Sequence, residues 1–366
     1  MTIVAHAELI GVGPDEAVVT FTTAPGESVV TRVGAREVVT AGPFHTAVVD
    51  GLAPDTEYPL SVDGAEPDGR WLPATVRTLV RPEGRLLATI ATANDVHFGE
   101  TECGKTGEPA ADAVGPVLRA EPGDPPYPEV MSGAIVDEML ALDPDAVVVK
   151  GDLTDTGKAQ EYAAFLDCYG RLGARLHHMR GNHDAMRDPA LARNGAPFAI
   201  ALDGVTLAVL DTVVPGRVGG ALDAEQCAWL EDLAASTSEP VLVFSHHPVF
   251  HWDRDYCVGG DADALVAVLG RRPNITACLA GHTHANRVVH DARVPEVPFV
   301  EVNCAKDYPG AWAEYRVYEG GFTQVLRRVR RDDARAWSER AREMFQGYYR
   351  DLVLGPIGER CFSRVW

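Results

Sequence analysis

The sequence lacks close cysteine pairs. Its seven cysteines, at 103, 168, 227, 257, 278, 304 and 361, are odd in number and scattered. That excludes a zinc ribbon and argues against a disulfide framework, and it predicts reduced thiols in a cytoplasmic protein. A basic excess is also missing: 33 Lys and Arg stand against 53 Asp and Glu, a formal net charge of −20. Such a field repels polyanions, so no long nucleic acid is expected as a partner, except at a local cationic site. No apolar run approaches ~18 residues, so no membrane-spanning helix and no membrane partner are expected. Met1 to Thr20 has no basic start and contains Glu8, Asp15 and Glu16, unlike a signal peptide. What is present is globular. Hydrophobic residues make up 46% of 366 residues, enough for a large core and for two domains.

Residues 1–79 read as an all-β sandwich. Short β-prone runs at Ala17–Thr23, Val29–Val33, Glu37–Ala41, Thr46–Asp50 and Thr75–Leu79 are punctuated by Pro25-Gly26, Gly42-Pro43, Pro54-Asp55 and Asp63-Gly64. The stretch Leu52 to Tyr58 resembles the tyrosine corner of fibronectin type III domains. No catalytic constellation lies here, so a spacer or interaction module is favoured. Residues 80–85 are a linker. From residue 86 strands and helices alternate, which predicts an α/β domain over 86–330 with its chemistry at the carboxyl ends of the strands. A C-terminal helix over Asp333 to Leu352, within a tail of residues 331–366, carries Trp337, Ala341, Phe345, Tyr348 and Leu352 as an apolar stripe. Packing on its own domain is favoured there over a homo-oligomer interface.

Five polar stretches carry the chemistry: Asp95-Val96-His97, Gly151-Asp152, Gly181-Asn182-His183-Asp184, His246-His247-Pro248 and Gly281-His282-Thr283-His284. Each follows a short apolar run. Asp95 and His97 are two apart and can grip one cation. Asp152 can bridge two. Asn182 adds an amide oxygen, and His246, His282 and His284 add imidazoles. This mixed nitrogen and oxygen set, without thiolate, suits Fe, Mn, Zn or Co rather than Ca. Two metals about 3.5–4 Å apart serve in-line displacement at phosphorus. Each piece alone is weak, but all five in this order are hard to obtain by chance. His247 is expected to face away and to support structure. Asp184 and Asp211 are candidate hydrogen-bond acceptors behind the site.

The ordered set D-x-H, G-D, G-N-H-D, H-H-P and G-H-T-H resembles the calcineurin-like metallophosphoesterases over roughly residues 86 to 330. His97 makes it similar to the class III cyclic nucleotide phosphodiesterases and glycerophosphodiesterases. The resemblance implies a four-layer α/β/β/α sandwich. It implies that Asp95, His97 and His284 hold one metal, that Asn182, His246 and His282 hold the other, and that Asp152 bridges both. It further implies attack on phosphorus by a metal-bridging hydroxide, with His183 as acid or phosphoryl binder and Asp155 orienting His183. The alternative for Asp155 is a helix N-cap. The substrate implied is a small phosphoester, a phosphodiester in the first place. A phosphomonoesterase is the alternative, and a non-catalytic scaffold is disfavoured because Asp152, Asn182 and His183 are all retained. Purple acid phosphatases pair a fibronectin-like domain with this core, but they carry tyrosine where this chain has Asp155. Two loops are expected to shape the substrate pocket: Gly99–Pro128 as a wall or lid, and His251–Gly260, where Trp252 and Arg254 are candidate substrate contacts.

Overall fold

A computed structural model describes residues 2–105 and 117–366. The chain starts with five antiparallel strands: β1 (Ala5–Val12), β2 (Glu16–Val33), β3 (Arg36–Asp50), β4 (Glu57–Val62) and β5 (Thr75–Arg77). β2 pairs with β1 through one half and with β4 through the other, and β3 runs beside it throughout. The two expected breaks at Pro25-Gly26 and Gly42-Pro43 are not turns. They fall inside one long hairpin, whose register shifts between Thr22 and Glu27. A bulge absorbs the proline and glycine without ending the strands. β1 and β4 were not among the expected runs. Tyr58, in β4, accepts a hydrogen bond from the Ala53 amide at 2.9 Å, as the tyrosine-corner pattern requires.

Two six-stranded sheets follow. The first has the order β10 (Leu176–Met179), β9 (Ala146–Lys150), β6 (Leu86–Ala93), β17 (Ala311–Tyr318), β18 (Gly321–Arg328) and β19 (Phe362–Val365). The second has the order β11 (Phe198–Leu202), β12 (Val205–Val209), β13 (Val241–Phe244), β14 (Ile275–Ala280), β16 (Phe299–Glu301) and β15 (Arg287–Val289). Strand alternation sorts their side chains. Ala88, Ile90, Ala146 and Val148 of the first sheet face Leu207, Val209, Leu242 and Leu279 of the second, in one apolar layer. The alternate residues Ala91, Ala93, Val147 and Val149 face outward. They meet α1 (Tyr127–Leu142), α2 (Ala159–Tyr169) and α5 (Asp332–Ala341) through Met131, Ile135, Phe165 and Trp337. On the other side Ala208, Leu210 and Val243 meet α3 (Ala224–Ser236) and α4 (Ala262–Arg271) through Leu230, Leu265 and Leu269. The result is the four-layer α/β/β/α sandwich, with the N-terminal antiparallel sheet beside it.

Three local expectations change. The C-terminal helix is not continuous: α5 stops at Ala341, Phe345 and Gln346 take positive φ values of 53° and 60°, and a short α6 (Tyr349–Val353) follows. Trp337 stacks on Tyr127 at 4.0 Å, while Tyr348 and Leu352 are exposed, so the predicted stripe is split. Helical spacing predicts Tyr162, Phe165, Leu166 and Tyr169 on one inner face of α2, but Leu166 is exposed, because burial there goes to Phe165 and Tyr169. The chain's last strand, β19, joins the first sheet beside β18 and does not form a free tail. Of the Gly99–Pro128 loop, residues 106–116 lie outside the described residues. Its flanks pair as β7 (Glu102–Cys103) and β8 (Leu118–Arg119). Among the described residues no helix is long and apolar enough to cross a membrane.

Candidate metal centre

β6, β9 and β10 run parallel, as do β12, β13, β14 and β16. Their carboxyl ends therefore share one edge of the sandwich, and all five polar stretches leave from that edge. The loops are bent hard. Asp95, His97, Asp152, His282 and His284 all take positive φ, between 45° and 73°. That conformation is disfavoured for residues with a Cβ, and it concentrates where a site must aim its side chains. Two glycines let the loops close. A Cβ on Gly151 would meet His246 Nδ1 at 2.5 Å, and one on Gly181 would meet Asp152 Oδ1 at 2.2 Å.

The structure brings all seven expected metal-binding side chains together, and six of them are buried. Asp152 lies in the middle. Its Oδ2 is 3.5 Å from His97 Nε2, and its Oδ1 is 3.4 Å from His246 Nε2. On the first side, His284 Nε2 is 3.5 Å from Asp95 Oδ1, and the His97 and His284 rings are 5.6 Å apart. On the second side, Asn182 Oδ1 is 3.1 Å from His246 Nε2, and the His246 and His282 rings are 5.0 Å apart. The potential ligand atoms of Asp95, His97 and His284 lie within 4.8 Å of one another, and so do those of Asp95, Asp152 and His246.

Four buried atoms in this cluster have no hydrogen-bond partner: Asp95 Oδ1, His97 Nδ1, His97 Nε2 and His282 Nε2. A buried polar atom without a partner is costly, so convergent ones mark a place for a ligand. The remaining atoms are tied down. His246 Nδ1 donates to the Lys150 carbonyl at 2.8 Å, which aims Nε2 at Asp152. Asp95 Oδ2 accepts from Asn94 Nδ2 at 2.6 Å and from the His282 amide at 2.9 Å. The residues therefore fit a pair of cations.

The charges follow from this crowding. Burial alone would raise the Asp152 carboxyl, but His246, His183 and His97 together hold it well below its usual range. Burial likewise opposes a charged His246, yet Asp152 and Asp95 lift it to about 9. His282 is pushed down to about 3 by burial and by His246. His97 is also pushed well down, by burial first and then by Lys306 and His183.

The neighbours fall into clear places. His183 Nδ1 donates to the backbone carbonyl of Asp155 at 2.6 Å. Asp155 thus meets His183 through its main chain, while its carboxylate lies 4.0 Å from His97 Nδ1. It is not the cap of α2, whose N-cap is Lys158. Asp184 accepts from the amides of Leu153, Thr154 and Gly181 and from Thr154 Oγ1, so it staples two of the loops together. Asp211 binds Arg180 at 2.7 Å. His247 Nε2 donates to the Val218 carbonyl, and its Nδ1 pairs with Thr212 Oγ1, both at 2.9 Å. Trp252 is 79% exposed, and the Tyr256 ring of the same loop is 5.5 Å from the His282 ring. Arg254 lines a separate cleft.

Sequence reasoning missed the groups behind His284. Cys304 and Asp95 raise its pKa well above the usual value against the effect of burial, and Cys304 Sγ in turn donates to Asp307 at 2.9 Å. Asp307 also accepts from Tyr349 at 2.8 Å. The available signal was positional: Asn303 and Cys304 follow β16, which ends at the same edge as the other parallel strands.

Comparison with known proteins places the chain in a family. The profile of the calcineurin-like phosphoesterase family matches residues 88–286. A cAMP/cGMP dual specificity phosphodiesterase of Mycobacterium tuberculosis is 35% identical over 158 residues, covering 39% of this chain and 49% of that protein. The glycerophosphodiester phosphodiesterase GpdQ of Enterobacter lignolyticus is 31% identical over 158 residues, 38% of this chain and 56% of that protein. The chain thus spans about half the length of these relatives. A dimetal phosphatase from Danio rerio superposes with a TM-score of 0.55 at 15% identity, over 67% of this chain and 98% of that one. At that identity the likeness speaks for the fold alone.

Proposed function

The chain belongs to the calcineurin-like phosphoesterase family, and from that premise we propose that it is a metal-dependent phosphodiesterase acting on small phosphodiesters of the cyclic nucleotide or glycerophosphodiester type. The observation that carries this reading is the central carboxylate. The two oxygens of Asp152 face two different groups of donors, around which four buried atoms lack partners. Asp95, His97 and His284 would hold one ion, and Asn182, His246 and His282 the other, with Asp152 shared. The donors contain no thiolate, which suits Fe, Mn, Zn or Co. When bound, such a pair supplies Lewis-acid activation of water and neutralises charge on the phosphoryl oxygens.

The chain's own residues do the rest. Because Nδ1 of His183 donates to the Asp155 carbonyl, its Nε2 is the nitrogen free to work. From that position Nε2 can pass a proton to the leaving oxygen, or bind a phosphoryl oxygen. Asp184 holds the loops of Asp152 and His183 at a fixed spacing. All seven cysteines are free, in keeping with a reducing compartment, and we assign the protein to the cytoplasm.

The test has two parts. Elemental analysis of protein purified without chelator is expected to give about two transition-metal ions per chain; none would sink the mechanism. Bis(4-nitrophenyl) phosphate and 4-nitrophenyl phosphate, assayed side by side, are expected to show faster turnover of the diester. A clear preference for the monoester would replace this reading with a phosphomonoesterase.

A further inference from the structure

Two loops leave the active edge and close over a cleft beside the metal cluster. Residues 212–221 follow β12, and residues 251–260 follow the His246-His247 loop after β13. The Gly220 amide donates to the Cys257 carbonyl at 3.1 Å and ties the two together. The cleft has a volume of about 510 Å3, and its walls include Arg217, Arg254, Gly219, Gly220, Gly259 and Gly260. That volume suits a small-molecule group.

Its charge sets it apart. The chain carries 53 acidic against 33 basic residues, yet none of the described residues lining this cleft is acidic. The neighbouring Arg180 is locked onto Asp211 at 2.7 Å, and Arg293 onto Asp291 at 2.8 Å. Arg217 and Arg254 have no ion pair among the described residues. Two arginines lining one cleft offer an anion two positive groups, and the planar fork of arginine matches a phosphate in particular. Gly259 and Gly260 have open space where a Cβ would stand, so such a group can approach the backbone closely there.

The cleft is also coupled to the metal cluster. The Val218 carbonyl of the first loop accepts from His247 Nε2 at 2.9 Å, and the His247 ring lies 4.6 Å from that of His282. The second loop sets the Tyr256 ring 5.5 Å from His282. The cleft and the cluster therefore share His247 and Tyr256 as neighbours. We propose that the Arg217–Arg254 cleft binds a second phosphate group of a nucleotide phosphodiester whose scissile phosphorus sits at the metal cluster. This rests on the phosphodiesterase reading above and narrows its substrate to diesters that carry an additional phosphate.

The experiment compares two dinucleotides on the metal-loaded protein: pApA, with a 5′-terminal phosphate, and ApA, which lacks it. The wild type is expected to favour pApA in kcat/KM by about ten-fold or more, mainly through KM, as losing charge-assisted hydrogen bonds would cost. In the R217Q/R254Q double variant this ratio is expected to fall towards one. The ratio is taken within one protein, so any general loss of stability or activity cancels. A wild-type ratio near one, or a preference the double variant keeps, overturns the proposal. If the wild type cleaves neither dinucleotide, bis(4-nitrophenyl) phosphate separates the two readings: no turnover of that diester either means that the phosphodiesterase reading fails on its own. Calorimetric binding of pApA and ApA to the same two proteins then decides. A pApA preference lost in the double variant supports the cleft, and equal binding refutes it.

Discussion

Two buried polar clusters in this molecule look alike in composition and differ in completion. One surrounds Glu8, in β1, where the N-terminal sheet meets the α/β sandwich. The other surrounds Asp152. Both bury carboxylates that water cannot reach. Around Glu8 each oxygen has its donors. Oε1 accepts from Tyr308 at 2.9 Å and from Arg342, and Oε2 accepts from Arg342 at 3.1 Å and lies 3.4 Å from Arg328. Around Asp152 and Asp95, four buried atoms have none. The Glu8 carboxylate is completed by the chain itself and holds two layers together. The second cluster is incomplete without something the chain does not supply. The difference separates a structural polar network from a binding one, although both contain buried, charged and closely packed groups.

The sharpest way to test that contrast is at Asp152. Asp152→Ala is expected to lower turnover by at least about 10³-fold, because both ions lose a shared ligand. It should also remove the difference in thermal midpoint between metal-loaded and chelated protein, since only a bound ligand stabilises by mass action. Calorimetry with and without chelator reads this. A wild-type midpoint that chelator does not move would mean that the incomplete cluster needs no ion. The next effect is at His183. His183→Ala is expected to keep its metals by elemental analysis while turnover falls about 10²–10⁴-fold. Unchanged turnover would remove His183 from proton transfer.

Glu8 gives the opposite signature. Glu8→Gln leaves Glu339 as the one carboxylate paired with buried Arg342 and Arg328 among the described residues, and the excess buried positive charge is expected to cost about 3–5 kcal/mol of folding stability. Metal content per folded chain should not change. Burial would raise the Glu8 carboxyl, but Arg342 and Arg328 bring it below its ordinary 4.5. Its contribution is therefore full above pH 4.5 and fades as the pH falls through the lower folded value. Denaturant melts from pH 7 to pH 3 should show a steeper acid loss in the wild type than in Glu8→Gln. Parallel slopes would show that Glu8 is not ionised in the fold.

How much of each cluster could be read beforehand follows from where its residues lie in the chain. The metal cluster was legible because each piece is local: a ligand or two just after an apolar strand, five times over. Parallel strands then force those ends to one edge. The Glu8 cluster was not legible, because its partners lie 300 to 334 residues away and Arg342 follows a helix of ordinary composition. Long-range pairing leaves no periodic mark. The same reason hid Cys304 and Asp307 behind His284. At Pro25-Gly26 and Gly42-Pro43 the local signal was real but misread, since a bulge and a turn call for similar residues. The stripe from Trp337 to Leu352 failed for a different reason. Helical spacing continued past Ala341, but the backbone at Phe345 and Gln346 left the helical region.

His247 is the position where the two kinds of cluster can be told apart within a single site. Its ring lies among candidate donors, since its nitrogen and those of His246 and His282 fall within 4.8 Å of one another. Proximity alone would make it a ligand. Completion says otherwise: both of its nitrogens are engaged, Nε2 with the Val218 carbonyl and Nδ1 with Thr212. Burial, with His246 and His282 nearby, keeps the ring neutral, as one donor and one acceptor require. His247→Gln offers the same two kinds of hydrogen-bonding group on a shorter frame. It is expected to keep about two metals per chain and to lower turnover by less than about ten-fold, the smallest effect in this series. Elemental analysis decides the matter. Loss of one ion per chain would place His247 with the incomplete cluster and would show that hydrogen-bond completion does not separate support from ligation here.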